Sequence, residues 1–380
     1  MDEELAGWVR LGTTPGLGRA AARRLLAAFG SPQAVLDASA AALGPFVDAT
    51  SARALTQPPP EPQQALLAAT AAWLAADASR RIVTLGDAAY PPLLLHTEDP
   101  PLLLYAVGDV GLLRAPSLAV VGSRNASAQG AENARAFAHA LSAAGWTVVS
   151  GLALGIDGAA HEGALDGMPD GAGRHAVADR RGATIAVVGT GIDRIYPARH
   201  EALARRIAEQ GLIVSEFSLG TPPLAENFPR RNRLIAGLAR GTLVVEAALR
   251  SGSLITARLA AEAGREVFAI PGSIHAPQSR GCHALIKQGA KLVEAVDDIL
   301  VELGAGGSAG AAPDVAPLMG ALMEDDAVLR ALGHDPSTLD ALIARCGWAA
   351  PALSARLLEL ELEGRVRRLP GGLFQRIAGG

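Results

Sequence analysis

The middle of the chain alternates short apolar runs with longer amphipathic segments. Six apolar runs are typical of buried strands: SLAVVG, TVVSG, ATIAVVG, LIVSEF, TLVVEA and EVFAIPG. Helical patterns lie between them, such as that of residues 128–144. Continuous apolar strands that alternate with helices are typical of a parallel sheet covered on both faces. The pattern therefore predicts an α/β, extended Rossmann-like, doubly wound domain with a mainly parallel sheet.

The pattern changes on both sides of this domain. The alanine-rich N-terminal residues predict helices, one of them from Arg19 to Phe29. The proline-containing segments RIVTLGDAAYPPLLLH and DPPLLLYAVGD predict short strands in a small bridging segment. Near the C-terminus, three helical patterns and a hairpin around PGG are the element order of a winged helix. We predict an N-terminal helical unit that is SAM- or helix-hairpin-helix-like (1–78), the Rossmann-like core (79–303), a flexible linker (304–317) and a winged-helix unit (318–380).

Composition narrows the possible functions. A net charge of -4 over 380 residues excludes a uniformly basic nucleic-acid-binding protein. A local basic patch is still possible, because charges attract phosphates within a screening length of about 8–10 Å. Cys282 and Cys346 are far apart in sequence, which favours a reducing compartment and disfavours a cysteine-based metal site. The sequence has no signal-peptide pattern and no membrane-length apolar run, so we expect a cytoplasmic protein. His275, Cys282 and His283 do not have zinc-ligand spacing, and we expect neither a metal nor a cofactor.

Glycine-rich and polar loops follow the predicted strands, and such loops meet at the carboxyl edge of a doubly wound sheet. In the first loop, Gly122 allows close backbone approach, the Ser123 hydroxyl can donate to an anion, and the Arg124 guanidinium suits phosphate. The N-terminus of the following helix would add positive potential. A tight turn with a surface arginine explains the same residues equally well.

Three further loops resemble phosphate cradles but lack the full dinucleotide or Walker patterns. They are SGLALGIDGAAH, GTGIDRIYPARH and RSGSLITA. Structural roles compete here, since Ser253 is a plausible helix N-cap and His161 a plausible buried, hydrogen-bonded histidine. The candidate phosphate-loop residues are Ser150, Gly151, Gly189, Gly191, Ser251, Gly252 and Ser253.

The stretch FPRRNRLIAGL places arginines in front of an apolar helix. Phe228 can stack on a base or simply anchor the loop. Arg230, Arg231 and Arg233 are predicted to form the rim of a local phosphate groove. Arg194 and Arg199, beside Tyr196, form a second basic and aromatic group. Because no catalytic template is present, we expect binding without catalysis.

These motifs occur together in one known family. GSR, SGLALGIDGAAH, GTGIDRIYP, FPRRNRLIAGL, RSGSLITA, FAIPGS and GCHALIKQGAKLV follow in this order, and the sequence resembles the DNA-processing protein A (DprA/Smf) family over about residues 91–303. The resemblance implies a homodimeric single-stranded DNA-binding protein that protects incoming strands during natural transformation. It also implies that the protein loads RecA recombinase onto the strands and displaces single-strand-binding protein.

The resemblance also suggests roles for individual residues. It maps Gly122, Ser123, Arg124, Phe228, Arg231 and Arg233 onto the family's DNA-binding positions. Arg194, Arg199, Arg230 and Asn232 complete the candidate DNA-binding residues. The implied dimer interface contains His283, Ile286 and Leu292. Ala198 and Ala225 stand where many relatives carry lysine, and Arg199 and Arg230 are the candidates to replace those lysines. The connection formed by residues 167–182 is longer than usual and contains three arginines.

Two alternatives stay open. The same Rossmann-like fold occurs in nucleotide-processing enzymes of the lysine-decarboxylase-like phosphoribohydrolase group, which carry a PGGxGTxxE loop. The corresponding segment here, GLARGTLVVEA, lacks the double glycine after proline, which disfavours that enzyme. The other alternative is a scaffold that recruits RecA without touching DNA, and the arginine-bearing loops disfavour it.

Overall fold

A large mixed sheet forms the centre of the computed structural model, which describes residues 1–168, 184–304, 326–333 and 336–377. Within these residues the large sheet has nine strands. They are β1 (Arg80–Thr84), β2 (Leu103–Gly108), β3 (Ser117–Val121), β4 (Thr147–Ser150), β5 (Thr184–Val187), β6 (Leu212–Ser215), β7 (Gly241–Val244), β8 (Glu266–Ala269) and β9 (Lys291–Leu292).

The strand order is β1-β2-β6-β5-β4-β3-β7-β8-β9. All neighbours from β3 to β9 pair in parallel, whereas β2 is antiparallel to both β1 and β6. This confirms the predicted doubly wound, mainly parallel fold. From β3 the chain adds β4, β5 and β6 on one side, then returns to add β7 to β9 on the other. The order therefore reverses between the adjacent strands β3 and β7, where open α/β sheets bind ligands.

Helices cover both faces of this sheet. One face carries α8 (Ala128–Ala143), α9 (Ile156–Asp166), α10 (Glu201–Gln210) and α14 (Val296–Glu302), and the other carries α11 (Asn227–Leu238), α12 (Gly252–Glu262) and α13 (Arg280–Lys287). The alternation of side chains along β3 explains the division. Leu118 and Val120 pack among residues of α8 and α9, and Ala119 and Val121 pack among residues of α11 and α12.

The N-terminal unit is helical, as the sequence predicts. Its helices are α1 (Glu3–Thr13), α2 (Arg19–Phe29), α3 (Pro32–Asp37), α4 (Ala40–Leu43), α5 (Ala49–Thr56) and α6 (Glu61–Ala75). Trp8 and Val9 of α1 share a buried cluster with Ile82, Leu103 and Tyr105 of β1 and β2. The N-terminal helices therefore pack on the antiparallel edge of the large sheet.

The bridging segment, which the predicted core (79–303) includes, differs from the expectation in one element. Its strands β1 and β2 extend the large sheet. PPLLLH contains a short helix, α7 (Pro92–Leu95), instead of a strand. The helix can begin at a proline, because a backbone N–H in the first helical turn would have no intrahelical acceptor and its absence costs nothing. Leu94 of α7 is fully buried against the core.

The C-terminal unit has the predicted winged-helix order. Its elements are α15 (Ala327–Leu332), β10 (Ser337–Thr338), α16 (Leu339–Cys346), α17 (Ala350–Leu362), β11 (Val366–Leu369) and β12 (Leu373–Arg376). β11 and β12 form the hairpin, whose turn contains Gly371 and Gly372 with positive φ. The helices and hairpin share their own buried cluster. Residues 305–317 of the predicted linker and 169–182 of the long connection lie outside the described residues.

Candidate nucleic-acid interface

A cleft of about 670 Å³ opens at the carboxyl ends of β3 and β7, where the strand order reverses. We call this feature the cleft. Its walls come from the loops after β3, β4, β5, β6 and β7 and from the N-terminal parts of α11 and α12. The lining residues used below are Ser123, Arg124, Asn125, Asp157, Tyr196, Ala225, Phe228, Arg231, Asn232, Ile235, Arg250, Ser251, Gly252, Ser253 and Thr256.

The loop after β3 is held close to the sheet by two glycines. A Cβ at Gly122 would lie 2.6 Å from the Ile156 side chain and 2.9 Å from the Glu246 carbonyl oxygen. Gly155 has φ of 78°, and a Cβ there would lie 2.3 Å from the carbonyl oxygen of Ser123. That carbonyl accepts a hydrogen bond from the Ile156 amide (3.1 Å). The backbone is therefore fixed, and Arg124 is exposed at the cleft.

Two aromatic rings and one guanidinium group form the most distinctive wall of the cleft. The Tyr196 and Phe228 ring centroids are 5.5 Å apart, and the Arg124 guanidinium carbon lies 5.4 Å from the Phe228 centroid. Tyr196 is 45% exposed and Phe228 is half-buried. Gly189 makes room for this wall, because a Cβ there would lie 3.0 Å from the Phe228 ring. We call these three side chains the aromatic wall.

The arginines of FPRRNR are inside a helix, not in a loop before it. α11 begins at Asn227, and 3.6 residues per turn separate its side chains into two faces. The cleft face carries Phe228, Arg231, Asn232 and Ile235. The rear face, about half a turn away, carries Arg230, Arg233 and Gly237. The prediction that Arg230, Arg231 and Arg233 share one rim is therefore wrong.

Arg231 is buried beneath the cleft, with 3% of its surface exposed. Its Nη1 donates to the carbonyl oxygens of Gly151 (2.6 Å) and Val187 at the ends of β4 and β5. Burial lowers the pKa of Arg231 to about 10, and the nearby Asp157 carboxylate opposes that shift. Burial also raises the pKa of Asp157, against the effect of Arg231. Arg231 thus joins two strand ends and supplies positive charge from below, instead of lying on the rim.

Arg233 is also unavailable at the rim. Its guanidinium forms an ion pair with Glu216, and its Nη1 donates to the carbonyl oxygen of Asp99 (2.6 Å). Only 16% of the Arg233 side chain and 10% of the Glu216 side chain are exposed. Arg230 is exposed, but it lies on the rear face and does not line the cleft.

The loop after β7 supplies the opposite wall. Ser251, Gly252 and Ser253 line the cleft, as predicted for a candidate phosphate loop, and stand at the N-terminus of the 11-residue helix α12. The N-cap is Ser251, whose hydroxyl accepts from the Ser253 amide (3.3 Å), so the prediction of Ser253 as the cap is wrong. Ser253 lies in the first turn, and its hydroxyl hydrogen-bonds to that of Ser251 (2.7 Å).

Other predicted phosphate-loop groups are occupied within the fold. The buried Ser150 hydroxyl donates to the Val120 carbonyl (2.6 Å), and the Gly191 amide donates to the Thr221 carbonyl (3.0 Å). A Cβ at Gly151 would lie 2.6 Å from the Arg231 guanidinium, so this glycine makes room for a side chain instead of a ligand. These three residues do not line the cleft.

The N-terminus of α8 is occupied as well. The Glu246 carboxylate accepts from the Ser127 amide (3.0 Å) and from the Ser127 hydroxyl (2.5 Å). Gly130, in the first turn, leaves the space that this carboxylate fills. The expected positive end of the helix after GSR is therefore neutralised by a residue of the chain.

The remaining basic candidates lie outside the cleft. Arg194 and Arg199 are exposed but do not line it, whereas Ala225 does. His161 is fully buried: its Nε2 accepts from the Leu152 amide (3.3 Å) and its Nδ1 donates to the Thr184 hydroxyl (2.6 Å). Burial lowers the pKa of His161 to about 3, so the imidazole is neutral and structural.

The candidate dimer residues are at the far edge of the sheet. Leu292 is 44% exposed on the edge strand β9, and His283 and Ile286 are half-buried on the neighbouring helix α13. The His283 Nε2 lies 3.0 Å from the Gly272 carbonyl oxygen.

Among the residues that the structure describes, no group of three or more His, Cys, Asp or Glu side chains could hold a metal ion. No helix among them has both the length and the apolar character to cross a membrane.

Sequence reasoning missed several cleft residues. Asn125, Arg250 and Thr256 line the cleft. Arg250 was recognisable in principle, because it follows β7 and the order of a doubly wound sheet can place that strand beside β3. The sequence grouped Tyr196 with Arg194 and Arg199, but its contact with Phe228, 32 residues away, was not predicted.

Comparison with known proteins agrees with this geometry. A family model described as DNA recombination-mediator protein A matches residues 81–304, and one described as the DprA winged helix domain matches residues 312–372. Protein Smf of Escherichia coli is 46% identical over 74% of this chain and 74% of its own length. DNA processing protein DprA of Streptococcus pneumoniae is 47% identical over 57% of this chain and 72% of its own length.

Two solved structures are also similar. The X-ray structure of DprA from Streptococcus pneumoniae has a TM-score of 0.66 and 36% identity, covering 78% of this chain and 97% of that one. A structure of DNA processing protein A from Helicobacter pylori has a TM-score of 0.50 and 29% identity, covering 59% of this chain and 96% of that one. The latter is described for its single-stranded DNA binding mode.

Proposed function

Because this chain belongs to the DNA recombination-mediator protein A family, we propose that its cleft binds single-stranded DNA and that the protein is a recombination mediator. The aromatic wall is the observation that carries the proposal. Tyr196, Phe228 and Arg124 combine ring faces with a cation at the reversal point of the sheet. The Helicobacter pylori relative, described as binding single-stranded DNA, supports the same substrate class.

The wall suits single strands because their bases are free to leave the stack. A base that stacks on an aromatic side chain contributes about 1–3 kcal/mol, irrespective of its identity. In a duplex the base faces are covered by their neighbours, so the same rings have no partner. The opposite wall, with Arg250 and the N-terminus of α12, is suited to the phosphates. Arg231 adds positive charge beneath both walls.

Arg124 and Arg240 provide a matched pair of variants for testing this assignment. Both are exposed, and both guanidinium groups lie over an aromatic ring, but Arg240 covers Trp146 and directly precedes β7, at the opposite edge of the sheet. We expect Arg124→Ala to weaken binding of labelled oligothymidine and to reduce the salt slope of the affinity by about 0.7, the value for one phosphate contact. Arg240→Ala should bind like the unaltered protein.

The measurement is fluorescence anisotropy at several salt concentrations, with single-stranded and duplex oligonucleotides of equal length. Strand-selective, salt-sensitive binding that is lost in Arg124→Ala alone is the expected result. Equal binding of both DNA forms, or equal effects of the two substitutions, would exclude the cleft as the single-strand site.

We further propose that the protein transfers its strand to RecA, displaces single-strand-binding protein, and acts in the cytoplasm during natural transformation. The family description as a recombination mediator supports this role. The test follows RecA filament formation on oligonucleotides coated with single-strand-binding protein. The unaltered chain should shorten the lag and Arg124→Ala should not. Equal lags with and without the unaltered chain would remove the RecA assignment while leaving DNA binding intact.

We also propose a homodimer through α13 and β9. An exposed leucine on an edge strand next to an amphipathic helix is the feature that supports it. Leu292→Arg should convert a dimer to a monomer in light scattering. Leu362→Arg is the control, because Leu362 is 82% exposed but belongs to the winged helix. An unaltered dimer in Leu292→Arg would place the interface elsewhere.

Catalysis is not part of the proposal. Among the described residues, Asp157 is the one carboxylate that lines the cleft, and it is buried beside Arg231 rather than presented to a ligand. Incubation with nucleoside monophosphates provides the test against a phosphoribohydrolase. Release of free base by the purified chain, and its loss in Asp157→Asn, would replace the binding assignment with an enzymatic one.

A further inference from the structure

The rear face of α11 is connected to the N-terminal unit by charged side chains. Arg19 and Arg23 of α2 both contact the Asp99 carboxylate, through Arg19 Nε (2.7 Å) and Arg23 Nη1 (2.6 Å). Arg19 Nη1 also lies 3.4 Å from Glu216, which pairs with Arg233 of α11. We call Arg19, Arg23, Asp99, Glu216 and Arg233 the rear cluster.

The rear cluster is more than a surface ion pair. The Glu216 and Arg233 side chains are nearly buried, so loss of a neighbouring charge is not fully compensated by water. Arg23 additionally donates to the Pro100 carbonyl (2.9 Å), and Arg233 donates to that of Asp99 (2.6 Å). Burial alone would raise the pKa of Asp99, but the hydrogen bonds from Arg19 and Arg23 lower it below the ordinary value.

The segment around Asp99 therefore lies between α2 and α11. α7 and the residues after it pack on the rear face, where a Cβ at Gly237 would lie 2.7 Å from Leu94 and 2.8 Å from Thr97. The opposite face of the same helix presents Phe228 and Asn232 to the cleft. A rigid helix transmits a displacement of one face to the other, because its backbone hydrogen bonds hold both together.

We propose that the N-terminal unit positions α11 through the rear cluster, so that Arg23 sets the DNA affinity of a cleft it does not line. Arg23 is a positioning residue, and this role rests on the proposed binding of single-stranded DNA. The helical N-terminal unit then works through the shape of the cleft and not by contacting the strand.

The test compares neighbouring arginines of one helix in the full chain. Arg23→Gln breaks the rear cluster, whereas Arg24→Gln removes the same charge from a side chain that donates to the Phe46 carbonyl inside the N-terminal unit (3.1 Å). We expect Arg23→Gln to weaken oligothymidine binding about threefold to tenfold with an unchanged salt slope. Arg24→Gln should stay within about twofold of the unaltered protein.

Amide hydrogen exchange gives a second measurement without DNA. Peptides that cover α11 should exchange faster in Arg23→Gln than in Arg24→Gln, because the rear face has lost a support. A purely local role of Arg23 inside the N-terminal unit would leave α11 unchanged. If Arg23→Gln does not fold, Asp99→Asn replaces it, with Asp87→Asn as control because the Asp87 carboxylate accepts from the nearby Ala89 amide (2.8 Å).

The outcomes separate this inference from the assignment of the cleft. No binding of single strands by the unaltered chain would remove the proposed function itself. Binding that is sensitive to Arg124→Ala but equal in Arg23→Gln and Arg24→Gln would remove only the positioning role. A salt slope reduced by about 0.7 in Arg23→Gln would show a direct phosphate contact and also overturn the inference.

Discussion

Each face of α11 carries a largely buried arginine, but the two arginines bond to different kinds of partner. On the cleft face, Arg231 is buried and bonds to backbone carbonyls of two strand ends. On the rear face, Arg233 is paired with a carboxylate that a second segment of the chain shares. Neither guanidinium reaches the rim of the cleft, although both belong to one short arginine-rich motif. An arginine-rich motif in sequence can thus shape a cleft through guanidinium groups that bond within the fold.

Two carboxyl groups beside this helix, that of buried Asp157 and that of half-buried Asp99, also differ. Burial raises the pKa of Asp157 on the cleft side, where Arg231 offsets the shift only in part. The two arginines of α2 lower the pKa of Asp99 on the rear side. The cleft side also keeps an exposed guanidinium group, that of Arg124, whereas the rear side uses its charges for internal contacts.

The largest expected effect is a loss of stability on replacing Arg231, compared with replacing its neighbour Arg230. Arg231→Met leaves the Asp157 carboxylate without its counter-charge and two carbonyls without a donor, so unfolding free energy should fall by about 3–5 kcal/mol. Arg230→Met, at the exposed adjacent position, should change it by no more than about 0.5 kcal/mol. Urea denaturation of both variants measures the difference. Equal midpoints would mean that burial does not distinguish the two arginines.

Phe228 tests the cleft face by affinity. Loss of a stacked base in Phe228→Ala should cost about 1–3 kcal/mol, or about 5-fold to 150-fold in oligothymidine binding. Phe228→Leu keeps an apolar anchor but removes the ring face, so it should also bind weakly. Full affinity of the leucine variant would show that Phe228 only anchors the start of α11.

Replacement of Gly237 tests how tightly the rear face of α11 is packed. A methyl group in Gly237→Ala would meet Leu94 and Thr97, and overpacking should exceed the helix-propensity gain of about 1 kcal/mol, leaving a net loss of about 1–2 kcal/mol. Gly12→Ala is the matched control, because Gly12 is also helical and its Cβ would make an ordinary 3.6 Å contact. Chemical denaturation should show opposite signs for the two variants. Stabilisation by both would indicate that the rear face has spare room.

The smallest expected effect is the acid sensitivity of the rear cluster. The folded pKa of Asp99 is lowered, so its contribution to stability is complete above the ordinary value of about 3.9 and is lost as the pH falls through the lower folded value. Arg19, Arg23, Arg233 and Glu216 are the charged groups around it. Tryptophan fluorescence of Trp8 and Trp73 should report this step between pH 5 and 2. A fluorescence change of equal size in Asp99→Asn would show that another group titrates in this pH range.

Much of the fold was predictable because its signal is local. Strand runs, helix periods and the PGG hairpin each depend on neighbouring residues, and they led to the doubly wound core and the winged helix. The loop after β3 was placed correctly at the carboxyl edge for the same reason. The misassigned segment, PPLLLH, is short and apolar up to His96, and periodicity does not distinguish strand from helix in such a run.

The sequence by itself determined which loops carry glycines, serines and arginines to the carboxyl edge of the sheet. Only the tertiary structure decided which of those groups face the cleft. The start of α11 at Asn227 turns Arg231 inward and Arg233 away, and the contacts of Tyr196 with Phe228 and of Arg23 with Asp99 join distant segments. Burial and pairing are set by how whole elements pack, and neighbouring residues do not contain that information.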